Sequence, residues 1–169
     1  MNAASGSAQQ ILDALRARGA TLATAESLTG GLLCATLVDM PGASDVVRGG
    51  VVAYTADLKA SVLGVPEDLL ARAGTVHADT AAAMACGVRD RLGGDYGLST
   101  TGVAGPDPAE GKPVGLVYVA VAGPGVAEVR RLELSGDRVA IRRGAAAGAL
   151  ALLWEVLQRG SRVVAESAG

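Results

Sequence analysis

Two periodicities alternate along the chain, and they predict its elements. Ala8, Ile11, Leu12 and Leu15 fall on one face of a helix, with Ser7 placed to cap it and Gly19 to stop it. Residues 21–25 read as a short buried strand. Residues 30–38 read as a helix with Leu33 and Leu37 on one face, and Pro41-Gly42-Ala43-Ser44 as a turn. A second buried strand is predicted at 50–54, then a short helix through Lys59 ended by Gly64-Val65-Pro66, and another at 67–72. Ala81, Met84, Ala85, Val88 and Leu92 keep helical spacing across 79–92. Residues 95–101 read as a third strand, followed by a loop to 113. Residues 114–122 are continuously apolar, as in a central strand covered on both faces. Beyond the tight Gly123-Pro124-Gly125 connection, 126–134 alternate like a half-exposed antiparallel partner. Residues 137–157 form a long, Ala-rich closing helix.

The predicted order is α-β-α-β-α-α-α-β-β-β-α. Helices between strands imply parallel pairs, and the late hairpin adds antiparallel ones. The expected fold class is α/β: a three-layer α/β/α sandwich with a mixed sheet, in one domain spanning 8–159. Residues 1–7 and 160–169 are expected as flexible tails. A length of 169 residues fits one domain. Half the residues are hydrophobic, but only one Trp and three Tyr are aromatic and none is Phe. The core must therefore be Ala, Val, Leu and Ile, with small residues letting elements approach closely.

Charge is nearly balanced, 15 basic against 17 acidic residues. With aromatic platforms scarce as well, this argues against a nucleic-acid partner. Cys34 and Cys86 sit in Ala- and Leu-rich surroundings and read as buried thiols. Two cysteines and the single His77 are too few ligands for a metal site, so none is expected. No targeting segment is visible at the start, and the longest apolar runs are too short to span a bilayer. A cytoplasmic protein with no membrane partner is the expectation.

In sheets of this kind ligands sit beyond the carboxyl ends of the strands, and three predicted strand ends run into small or polar residues. The first gives Glu26-Ser27-Leu28-Thr29-Gly30-Gly31. Backbone N–H groups at the start of the next helix would favour a phosphate or the oxyanion of an acyl transfer. The alternative is a plain Ser/Thr cap with glycines for close packing. The second gives Tyr54-Thr55-Ala56-Asp57-Leu58-Lys59. A serine hydroxyl needs a base. The context of His77 reads as the lead into a helix, which leaves a lysine, and the chain has two, Lys59 and Lys112. Lys59 is either such a base, its pKa lowered by burial, or a solvated helix residue. The Tyr54 hydroxyl would relay a proton or simply sit at the sheet rim. The third gives Thr101-Gly102-Val103-Ala104-Gly105-Pro106, where Thr101 could donate to an oxyanion, or the glycines could serve only a turn.

These segments resemble a known family. Thr24-Ala25-Glu26-Ser27-Leu28-Thr29-Gly30-Gly31 resembles the T-A-E-S-x-T-G-G signature of the CinA C-terminal domain family, which includes stand-alone nicotinamide-nucleotide amidases. Gly49 to Tyr54 with Lys59 resembles its G-G-V-V-x-Y-S-N-x-x-K segment. Thr101 to Pro106 resembles its [ST]-G-[IV]-A-G-P loop. Lys112-Pro113-Val114-Gly115, and Gly136-Asp137-Arg138 with Arg142, resemble two further blocks, all in the family's order over about residues 8–158. Two places depart from the pattern: Y-S-N is Tyr54-Thr55-Ala56, and the Gly-rich loop is Asp107-Pro108-Ala109-Glu110-Gly111. Both fall where a substrate would be chosen.

The resemblance implies hydrolysis of the carboxamide of nicotinamide mononucleotide (NMN) to nicotinic acid mononucleotide and ammonia, in pyridine nucleotide recycling, without a cofactor. It implies Ser27 as nucleophile, Lys59 as base, Tyr54 in the proton path and Thr101 in the oxyanion region. Glu26, Thr29, Gly30, Gly31, Gly102, Ala104 and Gly105 would line the substrate, and Arg142, with Arg138 second, would bind its phosphate. A homodimer is implied as well. Two other readings stay open: an amidase for another substrate, and a non-catalytic nucleotide-binding module linked to competence and DNA damage.

Overall fold

The computed structural model describes residues 6–167, with side chains to residue 159. Its elements are α1 (Ala8–Ala17), β1 (Leu22–Glu26), α2 (Leu32–Val38), β2 (Val47–Val52), α3 (Ala56–Ser61), α4 (Glu67–Ala73), α5 (Ala78–Leu92), β3 (Tyr96–Gly102), β4 (Leu116–Gly123), β5 (Val126–Glu133) and α6 (Arg138–Ser167). The order is the predicted one; several bounds are not. Helix α2 starts at Leu32 rather than 30, because Gly30 and Gly31 adopt left-handed φ of 58° and 100°. Strand β2 begins at Val47, which pairs with Leu22, and ends before Ala53 and Tyr54 leave the sheet. A 3₁₀ turn, Ala43–Asp45, occupies the predicted turn. Ser7 caps α1, as its place before the helical pattern predicts, through a reciprocal box with Gln10. Residues 160–167, expected as tail, continue α6; residues 1–5 and 168–169 lie outside the described residues.

Within the described residues the strands form one mixed sheet in the order β2-β1-β3-β4-β5. Strand β1 is parallel to both β2 and β3, while β3-β4 and β4-β5 are antiparallel. The chain leaves β1 through α2 to reach β2 on one side, then returns through α3, α4 and α5 to β3 on the other. The carboxyl ends of β1 and β3 therefore flank the place where strand order reverses, the usual position of a ligand crevice.

The two faces of the sheet differ in side-chain size. On one, Leu22, Leu98, Val117, Val119 and Val121 pack with Ile11, Leu12 and Leu15 of α1, Leu33 and Leu37 of α2, and Ile141, Leu152 and Leu153 of α6. On the other, Ala23, Ala25, Ala120 and Ala122 meet Ala81, Met84, Ala85 and Val88 of α5. Gly97 lies against the same helix: a Cβ there would stand 1.9 Å from the Ala85 carbonyl oxygen. Ser99 Oγ donates to the Ala81 carbonyl at 2.6 Å. Small residues on both partners thus bring α5 close to the middle of the sheet and fix its height over β3. At the far seam, Arg18 Nη2 at the end of α1 donates to the Leu157 carbonyl of α6 at 2.6 Å. The half-buried Trp154 joins the same cluster, and a Cβ on Gly6 would collide with its ring.

Candidate active site

The end of β1 delivers Glu26 and Ser27 into opposite tasks. Glu26 is buried, and its carboxylate accepts from the amides of Gly31 (3.0 Å), Leu33 (3.0 Å) and Cys34 (2.8 Å). Gly31 has no side chain with which to cap α2, so a carboxylate from the preceding strand satisfies the helix's first donors and meets its dipole. This corrects two expectations. Glu26 is a capping group rather than a substrate contact, and the helix-start amide of Gly31 is not free for an oxyanion.

The next turn is held from outside. Ser27 N–H donates to Thr100 O, Gly30 N–H to Ser27 O and Leu32 N–H to Thr29 O. Arg142 donates from Nε to Leu28 O at 2.9 Å and from Nη2 to Thr29 O at 2.8 Å. The Thr29 and Thr100 hydroxyls share a buried 2.7 Å hydrogen bond. The carbonyls of 27, 28 and 29 are all committed, whereas the amides of Leu28 and Thr29 have no acceptor among the described residues. The amides available to an oxyanion are therefore these two, beside the serine, and not those of Gly30 and Gly31. The Thr29 hydroxyl is likewise committed to Thr100 rather than to a substrate.

Helix α3 brings Lys59 to the same place. Its side chain is fully buried, the single buried residue of that helix. Nζ lies 3.0 Å from Ser27 Oγ and 2.8 Å from the Ala53 carbonyl, with the Tyr54 carbonyl at 3.4 Å. The solvated alternative is thereby excluded. Burial pulls the Lys59 ammonium down to about 8, the charge of Glu110 opposing that fall. At pH 7 about a tenth of it is neutral, against about one in three thousand for an ordinary lysine. The neutral amine can donate to Ala53 O and take a hydrogen bond from the serine hydroxyl, the arrangement of a nucleophile with its base.

Ser27 opens onto a cleft of about 210 Å³ whose walls include Leu28, Val76, Val103, Glu110 and Arg138. Gly102, Ala104 and Gly105 line it too. Tyr54 stands at its rim, more than half exposed. The Tyr54 hydroxyl accepts from Arg138 Nη2 at 2.9 Å, and Arg138 Nη1 donates to the Gly105 carbonyl. Tyr54 therefore offers Lys59 its backbone carbonyl, while its hydroxyl meets Arg138 at the rim. Thr101 is buried and donates to the Thr75 carbonyl at 2.7 Å, so its hydroxyl ties a loop instead of facing an oxyanion. The two arginines separate: Arg138 lines the cleft mouth, while Arg142 braces the turn after Ser27. His77 caps α5, its Nδ1 accepting from Asp79 N–H at 3.1 Å.

The 107–111 loop, expected where a substrate is chosen, lines the cleft through Asp107, Ala109 and Glu110; the tight turn within it was not foreseen. Ala109 and Lys112 exchange backbone hydrogen bonds around Glu110 and Gly111, both at positive φ (54° and 69°), as in the tight turns of hairpins. The Glu-Gly pair was the available signal. Among the described residues no group of three His, Cys, Asp or Glu is arranged to hold a metal ion, and no helix is long and apolar enough to cross a membrane.

Comparison with known proteins places this geometry among relatives. The model of the CinA C-terminal domain matches residues 4–157. A CinA-like protein of Frankia casuarinae is 55% identical over 147 residues, 87% of this chain and 34% of that protein. A putative competence-damage inducible protein of Desulforamulus reducens is 51% identical over 150 residues, 89% of this chain and 36% of its own. The chain thus spans about a third of the length of these curated relatives. Among solved structures, a CinA superfamily protein from Klebsiella pneumoniae superposes with a TM-score of 0.87 at 34% identity, covering 90% of this chain and 96% of that one. The competence/damage inducible protein CihA from Agrobacterium tumefaciens gives 0.85 at 34%, covering 89% and 93%.

Proposed function

The chain belongs to the CinA C-terminal domain family, and from that premise we propose that it is an amidohydrolase acting on the carboxamide of nicotinamide mononucleotide. The observation that carries the reading is the buried 3.0 Å contact between Lys59 Nζ and Ser27 Oγ, beside two amides without acceptors among the described residues.

Neutral Lys59 takes the Ser27 proton as Oγ attacks the amide carbonyl carbon. Negative charge develops on the carbonyl oxygen, where the Leu28 and Thr29 N–H groups are available; one such donor is worth about 3–4 kcal/mol in acyl transfer. The Lys59 ammonium returns its proton to the leaving nitrogen, the C–N bond breaks and ammonia departs. Water then attacks the Ser27 ester with Lys59 again as base, releasing the acid and restoring the hydroxyl. The cleft is smaller than the ~300–1,000 Å³ that encloses a drug-sized ligand. It suits a pyridine carboxamide, with ribose and phosphate reaching outward to Arg138.

The test is ammonia release from NMN. Ser27→Ala and Lys59→Met each lower turnover at least about 1,000-fold with the fold intact by circular dichroism, and a chelator leaves the wild-type rate unchanged. Normal turnover by Ser27→Ala overturns the nucleophile. Ammonia from other amides but not from NMN moves the substrate. NMN binding without product by wild type points to a binding module instead.

A further inference from the structure

Thr75 and Val76 form one wall of the Ser27 cleft, and side chains from elsewhere hold most of the polar backbone of residues 73–76. Lys112 Nζ donates to the carbonyls of Ala73 (3.0 Å) and Val76. Thr80 Oγ1 donates to Gly74 O at 2.8 Å, and Thr101 Oγ1 to Thr75 O at 2.7 Å. Gly74 N–H stays with Leu70 O, while the Thr75 and Val76 amides go to one carboxylate. Glu110 accepts from Thr75 N–H at 3.1 and 3.0 Å, from Thr75 Oγ1 at 2.6 Å and from Val76 N–H at 3.3 Å. To do so it sits at φ 54°, the one positive φ outside glycine among the described residues. A non-glycine residue at this φ forgoes an easier backbone, and here that conformation accompanies the clasp on Thr75 and Val76. Beneath the wall Val76 is buried with Val103 and Leu116, so displacing Thr75 displaces the apolar surface a planar acyl group would lie on.

We propose that Glu110 is a positioning residue of the Ser27–Lys59 site: it clasps Thr75 and Val76 to fix the cleft wall, and it supplies a fixed negative charge whose field reaches the base. The inference rests on reading Lys59 as the base of Ser27. The other charges near the cleft are Asp107 and Arg138 on its walls. Lys112 stands 3.6 Å from the Glu110 carboxylate, and Glu26 is turned into the amides of α2. Lys59 itself touches only Ser27 and two neutral carbonyls among the described groups. Burial raises the Glu110 carboxyl, but the Thr75 hydroxyl and the two amides outweigh it and hold the group below its ordinary value, so it is charged wherever Lys59 titrates. The Glu110 charge favours the Lys59 ammonium and so restrains its fall.

Two variants separate clasp from charge. Glu110→Gln keeps an acceptor oxygen for Thr75 and loses the charge; Glu110→Ala loses both. The chain has only two lysines, so lysine labelled with ¹³C at Cε gives two resonances, and Lys59→Met assigns them. In both variants the Lys59 midpoint moves to lower pH, by about half a unit for a partly screened charge, and the acid limb of kcat/KM for ammonia release moves with it. Glu110→Ala also raises KM about tenfold, more than Glu110→Gln does, and speeds hydrogen exchange at the Thr75 and Val76 amides. A Lys59 midpoint unmoved in both variants overturns the proposal, even if both are less stable, because a merely structural residue would act that way. Absence of NMN turnover by the wild type would instead defeat the functional reading, while the lysine titration and hydrogen exchange still decide this one.

Discussion

A lysine with no exposed surface is held against its own solvation, and Lys59 carries that penalty beside Ser27. Its folded value of about 8 lies below the 10.5 of a free side chain. Between those two values the unfolded chain holds more protons than the folded one, so stability rises with pH across that window. Below pH 8 the full penalty applies. Urea melts of wild type and Lys59→Met at pH 7 and at pH 10.5 should therefore show wild type gaining on the variant by about 3 kcal/mol. A constant gap would mean that Lys59 is not depressed. The two arginines divide by their contacts. Arg138→Ala should raise KM for NMN about tenfold with kcat nearly kept, as befits lost binding at the mouth. Arg142→Ala releases the Leu28 and Thr29 carbonyls and, with Ser27 as the proposed nucleophile, should lower kcat about 100-fold by misplacing its turn. Steady-state kinetics on the pair checks both. The positions of Ser27 and Lys59 were legible from motif and strand ends. The commitments of Glu26, Thr29, Tyr54 and Thr101 were not. Tyr54 and Thr101 bind partners 84 and 26 residues away, and no local pattern announces a hydroxyl spent on a distant loop.

At the scale of elements, hydrophobic spacing carried the order of helices and strands, because each pattern reports the face an element buries. Boundaries were less legible where backbone conformation, not burial, decides them: α2 waits for two left-handed glycines, and β2 is set by its register with β1. The small-residue composition was legible as close packing but not as asymmetric packing, since nothing in a count tells which face of the sheet receives the alanines. Gly97 tests that asymmetry. A methyl group there meets the Ala85 backbone oxygen rather than a side chain that could swing away. Gly97→Ala should cost about 2 kcal/mol, in the range of overpacked cores, and lower Tm by roughly 4–8 °C for a domain of this size. Thermal melts measure it. A neutral effect would mean that α5 slides freely over β3.

In the whole molecule, one sheet gathers the proposed machinery. Ser27 follows β1, Lys59 follows β2, the Gly102–Gly105 wall follows β3, and the arginines open α6. This cleft at the reversal of strand order was the most general expectation of the sequence, and the structure fills it with a different cast of hydroxyls and amides. The Trp154 seam lies elsewhere, against α1 and the start of the described chain. Because the chain has a single tryptophan, emission excited beyond the tyrosine absorption band is an optical gauge of that seam alone. A shift of that tryptophan emission on heating reports α1 parting from α6, and ligand titrations followed by it will look silent even when the cleft is full, whereas Tyr54 stands at the cleft rim.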